Sequence, residues 1–414
     1  KPLAVSLGAL AASEVALAEA FDRRRRWRQG EQRSRRARRA VRREAGRCRA
    51  GGGPRPRPRI RSLSLPGPGE AFFGKVEGRA PGSAARALIT VNGARAGAAR
   101  VVAGRFSARV RARPGAGLVE ALFVDEDGAR VGTAVSDDTW SLPAPASLAA
   151  RPTRVDRAVS ARLAEIGRGF EGYAALRAEH LGSGAAAGWN DEARFPAAST
   201  VKLAVMIEAA RRFGLRPGSP ALYDVEQAAA WSSNLAANRL LELVGQGSVE
   251  RGSDAVVRRL RALGARFSTY PGEYRAGTSS SGAPRQPPLA TMRVTTARDL
   301  ATILRQVHLA ATGDRRAGGA TGLRAPTARA LLRTLLASEP TGDNVGLVRQ
   351  ALRPGTPVAQ KHGWLDDARA SATIVYGPTG PTILVVLAYR AGGLRLAEAK
   401  QLGSRAAAVS LRGW

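Results

Sequence analysis

Between residues 66 and 142 apolar and polar residues alternate in short runs: Phe72–Glu77, Ala87–Val91, Arg105–Arg111, Leu118–Val124 and Ala129–Val135. A period of two is what a strand with one buried face requires. Asn92-Gly93, Ala103-Gly104, Pro114-Gly115 and Asp127-Gly128 separate the runs, and such pairs turn a chain tightly. Short, evenly spaced strands with these turns predict a small all-β sandwich over 66–142. After Pro152 the spacing of apolar residues changes to that of helices. Helices are predicted over Val155–Gly167, Ser199–Phe213, Leu235–Val244, Ser253–Leu263, Thr296–Leu309, Thr327–Leu336 and Leu394–Leu411. Strands are predicted over Gly172–Leu176, Ala370–Tyr376 and Pro381–Tyr389, the last two forming a hairpin through Gly377–Gly380. Residues 150–414 therefore read as an α+β domain, an antiparallel sheet flanked by helices with a helical insert.

Residues 1–62 follow neither period. They hold 19 basic residues against 5 acidic ones, and they end in Gly51-Gly-Gly-Pro-Arg-Pro-Arg-Pro-Arg. That composition predicts a disordered tail and linker. Leu3–Ala18 is apolar and small, like the core of a secretory signal, although Glu14 departs from the pattern. Two other readings stand beside it: a membrane anchor with Arg23 and its neighbours on the cytoplasmic side, or a stretch read from a misplaced start. A secreted, periplasmic or surface location, with or without an N-terminal anchor, is the expectation. The net charge of the 414 residues is +32, which favours acidic partners such as a cell-wall polymer. Nucleic acid is the weaker choice, because Phe21 and Trp27 are the only aromatics in the basic tail. Cys48 is alone, so no internal disulfide is expected. Three histidines, His180, His308 and His362, have no metal-ligand spacing, and no metal or cofactor is expected.

The chemistry is signalled by lysine. Of 65 basic residues only five are lysine: Lys1, Lys75, Lys202, Lys361 and Lys400. Lysine, unlike arginine, can lose its proton when buried or set beside another cation, and then act as a base. Lys202 follows Ser199 by three residues, Ser232 and Asn234 lie in Trp231-Ser-Ser-Asn, and Lys361 opens Lys361-His-Gly363. On a helix, Ser199 and Lys202 share a face. A neutral Lys202 can take the Ser199 proton, and Lys361 nearby would depress the pKa of Lys202 by repulsion. The helix N-terminus favours negative charge at Ser199, whose N–H supplies half of an oxyanion hole. Ser232 can relay a proton to a leaving nitrogen, Asn234 can orient a substrate amide, and Lys361 can add a fixed positive charge. Each motif taken singly has a plain structural reading, Ser232 as a helix N-cap for example. The ordered triple points to serine acyl transfer with a lysine base.

Arg194-Phe-Pro-Ala-Ala-Ser-Thr-Val-Lys-Leu, Trp231-Ser-Ser-Asn-Leu-Ala-Ala-Asn238, Thr295-Thr-Ala-Arg-Asp-Leu-Ala and Val358-Ala-Gln-Lys-His-Gly-Trp resemble the motif regions of class A β-lactamases and penicillin-binding proteins. The resemblance spans roughly residues 150–414. It implies the β-lactamase/D,D-peptidase fold, an acyl-Ser199 intermediate, a β-lactam or peptidoglycan-like substrate, and a monomer. It also implies substrate contacts at Asn234, His362, Gly363 and Trp364, the Trp364 N–H completing the oxyanion hole. The strand pattern with Val91-Asn-Gly, Gly104-Arg-Phe and Asp125-Glu-Asp-Gly resembles bacterial immunoglobulin-like modules of surface proteins.

Four departures qualify the resemblance. Ser233 stands where the family's second motif carries Asp. His362 replaces a hydroxyl that binds the substrate carboxylate; an imidazole offers one hydrogen bond there, or two if protonated. The interval between the first two motifs is short, implying an open helical subdomain. The Glu-x-x-Leu-Asn loop that activates the deacylating water is absent, and Glu273 is the sole carboxylate in Tyr270–Pro288. Arg369 reads equally as a carboxylate clamp or a surface charge. Three outcomes stay open: a β-lactamase, a D,D-peptidase-like enzyme that deacylates slowly, or a non-catalytic wall-binding protein.

Overall fold

The structure is a computed structural model and describes residues 70–143, 148–273, 293–337 and 346–414. The expectations for residues 1–62, Cys48 among them, and for most of the Tyr270–Pro288 stretch fall outside the described residues. The described residues fall in one unit.

The N-terminal part is all β, as its alternation predicts. Strands β1 (Ala71–Phe73), β3 (Arg86–Val91), β4 (Ala94–Arg100), β6 (Gly115–Val124) and β7 (Arg130–Leu142) form one sheet in the order β1-β7-β6-β3-β4; β2 (Lys75–Arg79) pairs with β5 (Arg105–Arg109) in a second. The single run expected over Phe72–Glu77 is two strands. Gly74, at φ 59°, turns the chain out of the first sheet and into the second. Strand β4, Ala-Arg-Ala-Gly-Ala-Ala-Arg, was not expected, because it lacks the β-branched and aromatic residues that mark strands. The two sheets close over Val76, Ile89, Phe106, Val119 and Phe123, with Phe106 edge-on to Phe123 at 5.5 Å.

This part is packed onto the second rather than tethered to it. Ala71 and Leu142 are buried in the core of the following domain. Phe73 stands edge-on to His308 at 5.4 Å, and Arg333 bridges Asp138 and Glu226.

The α+β domain carries a six-stranded sheet. It comprises β8 (Arg154–Val155), β9 (Tyr173–His180), β10 (Ala185–Trp189), β13 (Val358–Trp364), β14 (Ala368–Gly377) and β15 (Gly380–Tyr389), in the order β13-β14-β15-β9-β10-β8. All neighbours are antiparallel except β8 and β10, and the predicted hairpin closes at Gly377 and Gly380. One face is covered by α1 (Arg157–Arg168) and α9 (Leu396–Gly413), which bury Val358, Val375, Leu384 and Val386. The other face meets α6 (Ala297–Thr312) and α8 (Ala325–Ala337). Beyond these lies the helical subdomain: α2 (Lys202–Phe213), α3 (Leu222–Ala230), α4 (Asn234–Val244), α5 (Val249–Ala262) and α7 (Arg315–Thr321). The Asp156, Ser248 and Thr296 side chains cap α1, α5 and α6, each accepting from a backbone N–H of the first turn. Helix α2 begins at Lys202, later than expected, and Ser199 lies in the turn that leads into it. No helix among the described residues is long and apolar enough to cross a membrane.

Candidate active site

Three segments meet at Ser199. The turn before α2 brings Ser199 itself, the start of α4 brings Ser232 and Asn234, and the edge strand β13 brings Lys361 and Gly363. Strands β11 (Phe195–Pro196) and β12 (Val294–Thr295) pair and carry Arg293 alongside, its carbonyl accepting from Ala197 N–H at 2.9 Å.

Lys202 Nζ lies 3.0 Å from Ser199 Oγ and 2.7 Å from Asn234 Oδ1, and it also donates to the Ser232 carbonyl. Lys361 Nζ donates to Ser232 Oγ at 2.9 Å and to the His362 carbonyl at 2.6 Å. Ser199, Lys202, Ser232, Asn234 and Lys361 are thus joined in one network. The N-cap reading of Ser232 is displaced by its neighbour: Ser233 Oγ accepts from Ala236 N–H at 3.2 Å and caps α4. Ser232 is therefore left to face Lys361. Ser232 (φ 54°) and Ala198 (φ 45°) both hold the left-handed backbone conformation that side chains disfavour. Strain of this kind is retained where the surroundings fix a functional geometry.

Both lysines are fully buried. Burial, then the charge of Arg293, pushes Lys202 down to about 7. Burial, then the charge of Lys202, pushes Lys361 well below its ordinary value. Lys202 is thereby a base poised at neutral pH. Burial and the charge of Lys202 work against the fixed positive charge expected of Lys361. Two buried ammonium groups bracketing Ser232 repel one another, so their protons belong to the pair rather than to either residue. Arg293, which the sequence did not single out, supplies the permanent charge. One more arginine before Thr295-Thr296 carries no signal in a chain so rich in arginine.

Gly363 fits tightly. A Cβ there would stand 2.7 Å from Ser199 N and 3.1 Å from Thr200 N, so only glycine lets β13 lie against the Ser199 turn. Because β13 is an edge strand, alternate N–H groups along it are free of the ladder, as an oxyanion donor at Trp364 requires. The Trp364 side chain is 48% exposed.

His362 is buried, which sets limits on the substrate contact expected of it. Strand alternation sets Lys361 and Gly363 toward the Ser199 turn and puts His362 on the face of Val358, which packs on α9. Burial, then the charges of Lys361, Arg369 and Lys400, pushes the imidazole down to about 3. That shift disfavours the protonated, doubly donating form. Arg369 Nη1 donates to the carbonyls of Leu365 and Ala368 in the adjoining turn. The Glu273 carbonyl accepts from Arg293. Among the described residues no cluster of His, Cys, Asp and Glu could hold a metal ion.

A serine bonded to a buried lysine, with a second serine–lysine pair set against it, is an arrangement of the kind that serine hydrolases use. The model of the β-lactamase enzyme family matches residues 158–218 and 222–412. The chain belongs to that family. Similar solved structures include one described as PBP-A (18% identity, TM-score 0.49, covering 64% of this chain and 99% of that one). A β-lactamase from Xanthomonas campestris pv. campestris shows 24% identity, a TM-score of 0.47, and coverage of 62% and 97%. A class A β-lactamase from Mycobacterium abscessus shows 20% identity, a TM-score of 0.48, and coverage of 62% and 98%. No curated protein sequence matches significantly.

Proposed function

We propose that the protein opens a β-lactam or D-Ala-D-Ala-like amide through an acyl-Ser199 intermediate. The carrying observation is the 3.0 Å contact of Ser199 Oγ with a lysine amine held near pKa 7. Neutral Lys202 takes the Ser199 proton as Oγ attacks the carbonyl carbon. The oxyanion sits between the N–H groups of Ser199 and Trp364. The C–N bond breaks as Ser232 Oγ–H protonates the leaving nitrogen, and Lys361 returns a proton to Ser232. Water then releases the acyl group and regenerates Ser199.

Slow release is the second reading. It is favoured by the charge beside Lys202, which is the cation Arg293, and by the missing Glu-x-x-Leu-Asn sequence. The signal-like start and this substrate class support a secreted or cell-surface location, and the strand pattern supports an immunoglobulin-like module ahead of the enzyme domain.

The test is intact-mass spectrometry through a time course with benzylpenicillin. A persistent adduct that is lost in Ser199→Ala means a penicillin-binding enzyme, and rapid hydrolysis with a transient adduct means a β-lactamase. Neither adduct nor hydrolysis overturns the proposal and leaves a wall-binding protein.

A further inference from the structure

Both sheets of the N-terminal part place like charges face to face. In the β2–β5 register Arg79 lies opposite Arg105 and Lys75 opposite Arg109; in the β3–β4 register Arg86 lies opposite Arg100. Like charges directly opposite across an antiparallel pair destabilise it. Lys75 is relieved by Glu77 at 2.5 Å. Among the described residues, Arg79, Arg100 and Arg105 have no such carboxylate partner. These three exposed arginines line a depression of about 650 Å³, together with Glu77, Val102, Phe106 and Ser107.

The corner that carries them is stiff. Ala103 (φ 49°) and Gly104 (φ 67°) form a tight turn closed by paired bonds between Val102 and Arg105, at 2.8 and 2.9 Å. Ala80 N–H donates to the Gly104 carbonyl and Val101 N–H to the Ala85 carbonyl, so strands from both sheets clamp the turn. A left-handed alanine is an unfavoured choice, held here by its surroundings. Val102, 70% exposed, offers an apolar edge beside the guanidinium groups.

We infer that this corner is a docking site for a phosphate-bearing polyol polymer of the cell wall. Guanidinium groups pair with phosphates in fork geometry, and the ligand's charge would relieve the repulsion between opposed arginines. A wall polymer fits better than nucleic acid, because the corner exposes no aromatic face for stacking, Phe106 being 4% exposed. The choice of a wall polymer rests on the proposed function; the anion site itself does not. Bound there, the polymer would hold the enzyme domain beside wall peptides.

The experiment measures binding of a fluorescent poly(glycerol phosphate) oligomer to the full chain at several salt concentrations. Three proteins are compared: wild type, Arg79→Gln/Arg100→Gln/Arg105→Gln, and a control with Arg258→Gln/Arg266→Gln/Arg316→Gln. The corner variant should bind at least tenfold more weakly, with a salt slope lower by about 2, while the control stays within twofold. Its acylation by benzylpenicillin should match wild type, so failure of docking and failure of catalysis are read separately. Equal loss in both variants, or none in either, would overturn the site. Tighter binding of duplex DNA of equal charge would overturn the wall-polymer assignment.

Discussion

If Lys202 is the base, acylation follows the fraction of Lys202 that is neutral. With a pKa of about 7, that fraction is about 90% at pH 8, about half at pH 7 and about 1% at pH 5. The acylation rate should therefore fall roughly 90-fold between pH 8 and pH 5, about tenfold per unit on the acid side, and level off above pH 8. An ordinary lysine, titrating near 10.4, would instead give a rate still rising at pH 9. The assay is the pseudo-first-order rate of adduct formation with a penicillin, by quenched-flow intact-mass spectrometry, with circular dichroism confirming the fold at each pH. Two variants sharpen it. Lys202→Arg keeps the charge but cannot shed its proton, and should lower acylation by 10³-fold or more. Arg293→Gln removes the cation that helps hold Lys202 down, so the midpoint should move to higher pH. A profile varying by less than threefold from pH 5 to pH 8 would refute Lys202 as the base. A midpoint unmoved in Arg293→Gln would refute the assigned role of its charge.

Gly363→Ala should fold but acylate about 10²-fold more slowly, because its Cβ would lie 2.7 Å from Ser199 N and push the oxyanion donor out of line; circular dichroism and the same rate assay check both halves. Ser232→Ala should lower acylation by about 10²–10⁴-fold with little change in stability, whereas Ser233→Ala should cost about 1 kcal/mol in a urea melt through loss of the α4 cap. In the unfolded chain Lys202 keeps its proton to about pH 10.4, while in the folded one it sheds it near 7, so the unfolded state binds more protons in between and stability rises with pH. Urea melts should show a gain of about 2 kcal/mol from pH 7 to pH 9. On the acid side the signs again favour the unfolded state. His308 is pushed to about 4 and His362 to about 3 by burial, both stay neutral when folded, and stability should drain away as pH falls from 6.5 towards 4.

Much of the fold was legible where residues carry strong local signals. Val-, Ile-, Leu- and Tyr-rich β14 and β15 and the capped helices α1 and α6 read clearly. What escaped was alanine. Strand β10, Ala-Ala-Ala-Gly-Trp, sits inside the sheet between β9 and β8, and β4 is alanine, glycine and arginine; neither has the bulk that marks a strand. Helix α3, which ends in three alanines, was also missed, since it offers few large apolar residues from which to read a period. That Ser199, Lys202, Ser232, Asn234 and Lys361 would lie together was legible, because the ordered motifs single them out in a chain with so few lysines. The burial of His362 and the lowered pKa that follows were not legible, because they depend on how β13 packs and not on the motif letters.

The lysine census and the burial pattern explain each other. Two of the four lysines among the described residues are fully buried, and they touch Ser199 and Ser232. Arginine at either place would be a permanent cation taken out of water, with carbonyl and hydroxyl oxygens for partners instead of a carboxylate, and such a charge is expensive to bury. Lysine escapes by giving up its proton, and the proposed reaction needs an amine that can do so. Near neutral pH the buried pair need not hold two charges. One amine can be empty and receive the proton of Ser199 while the other is filled and resupplies Ser232. The charge of Arg293 biases Lys202 towards release. A composition that replaces lysine with arginine almost everywhere else keeps it where a proton has to travel.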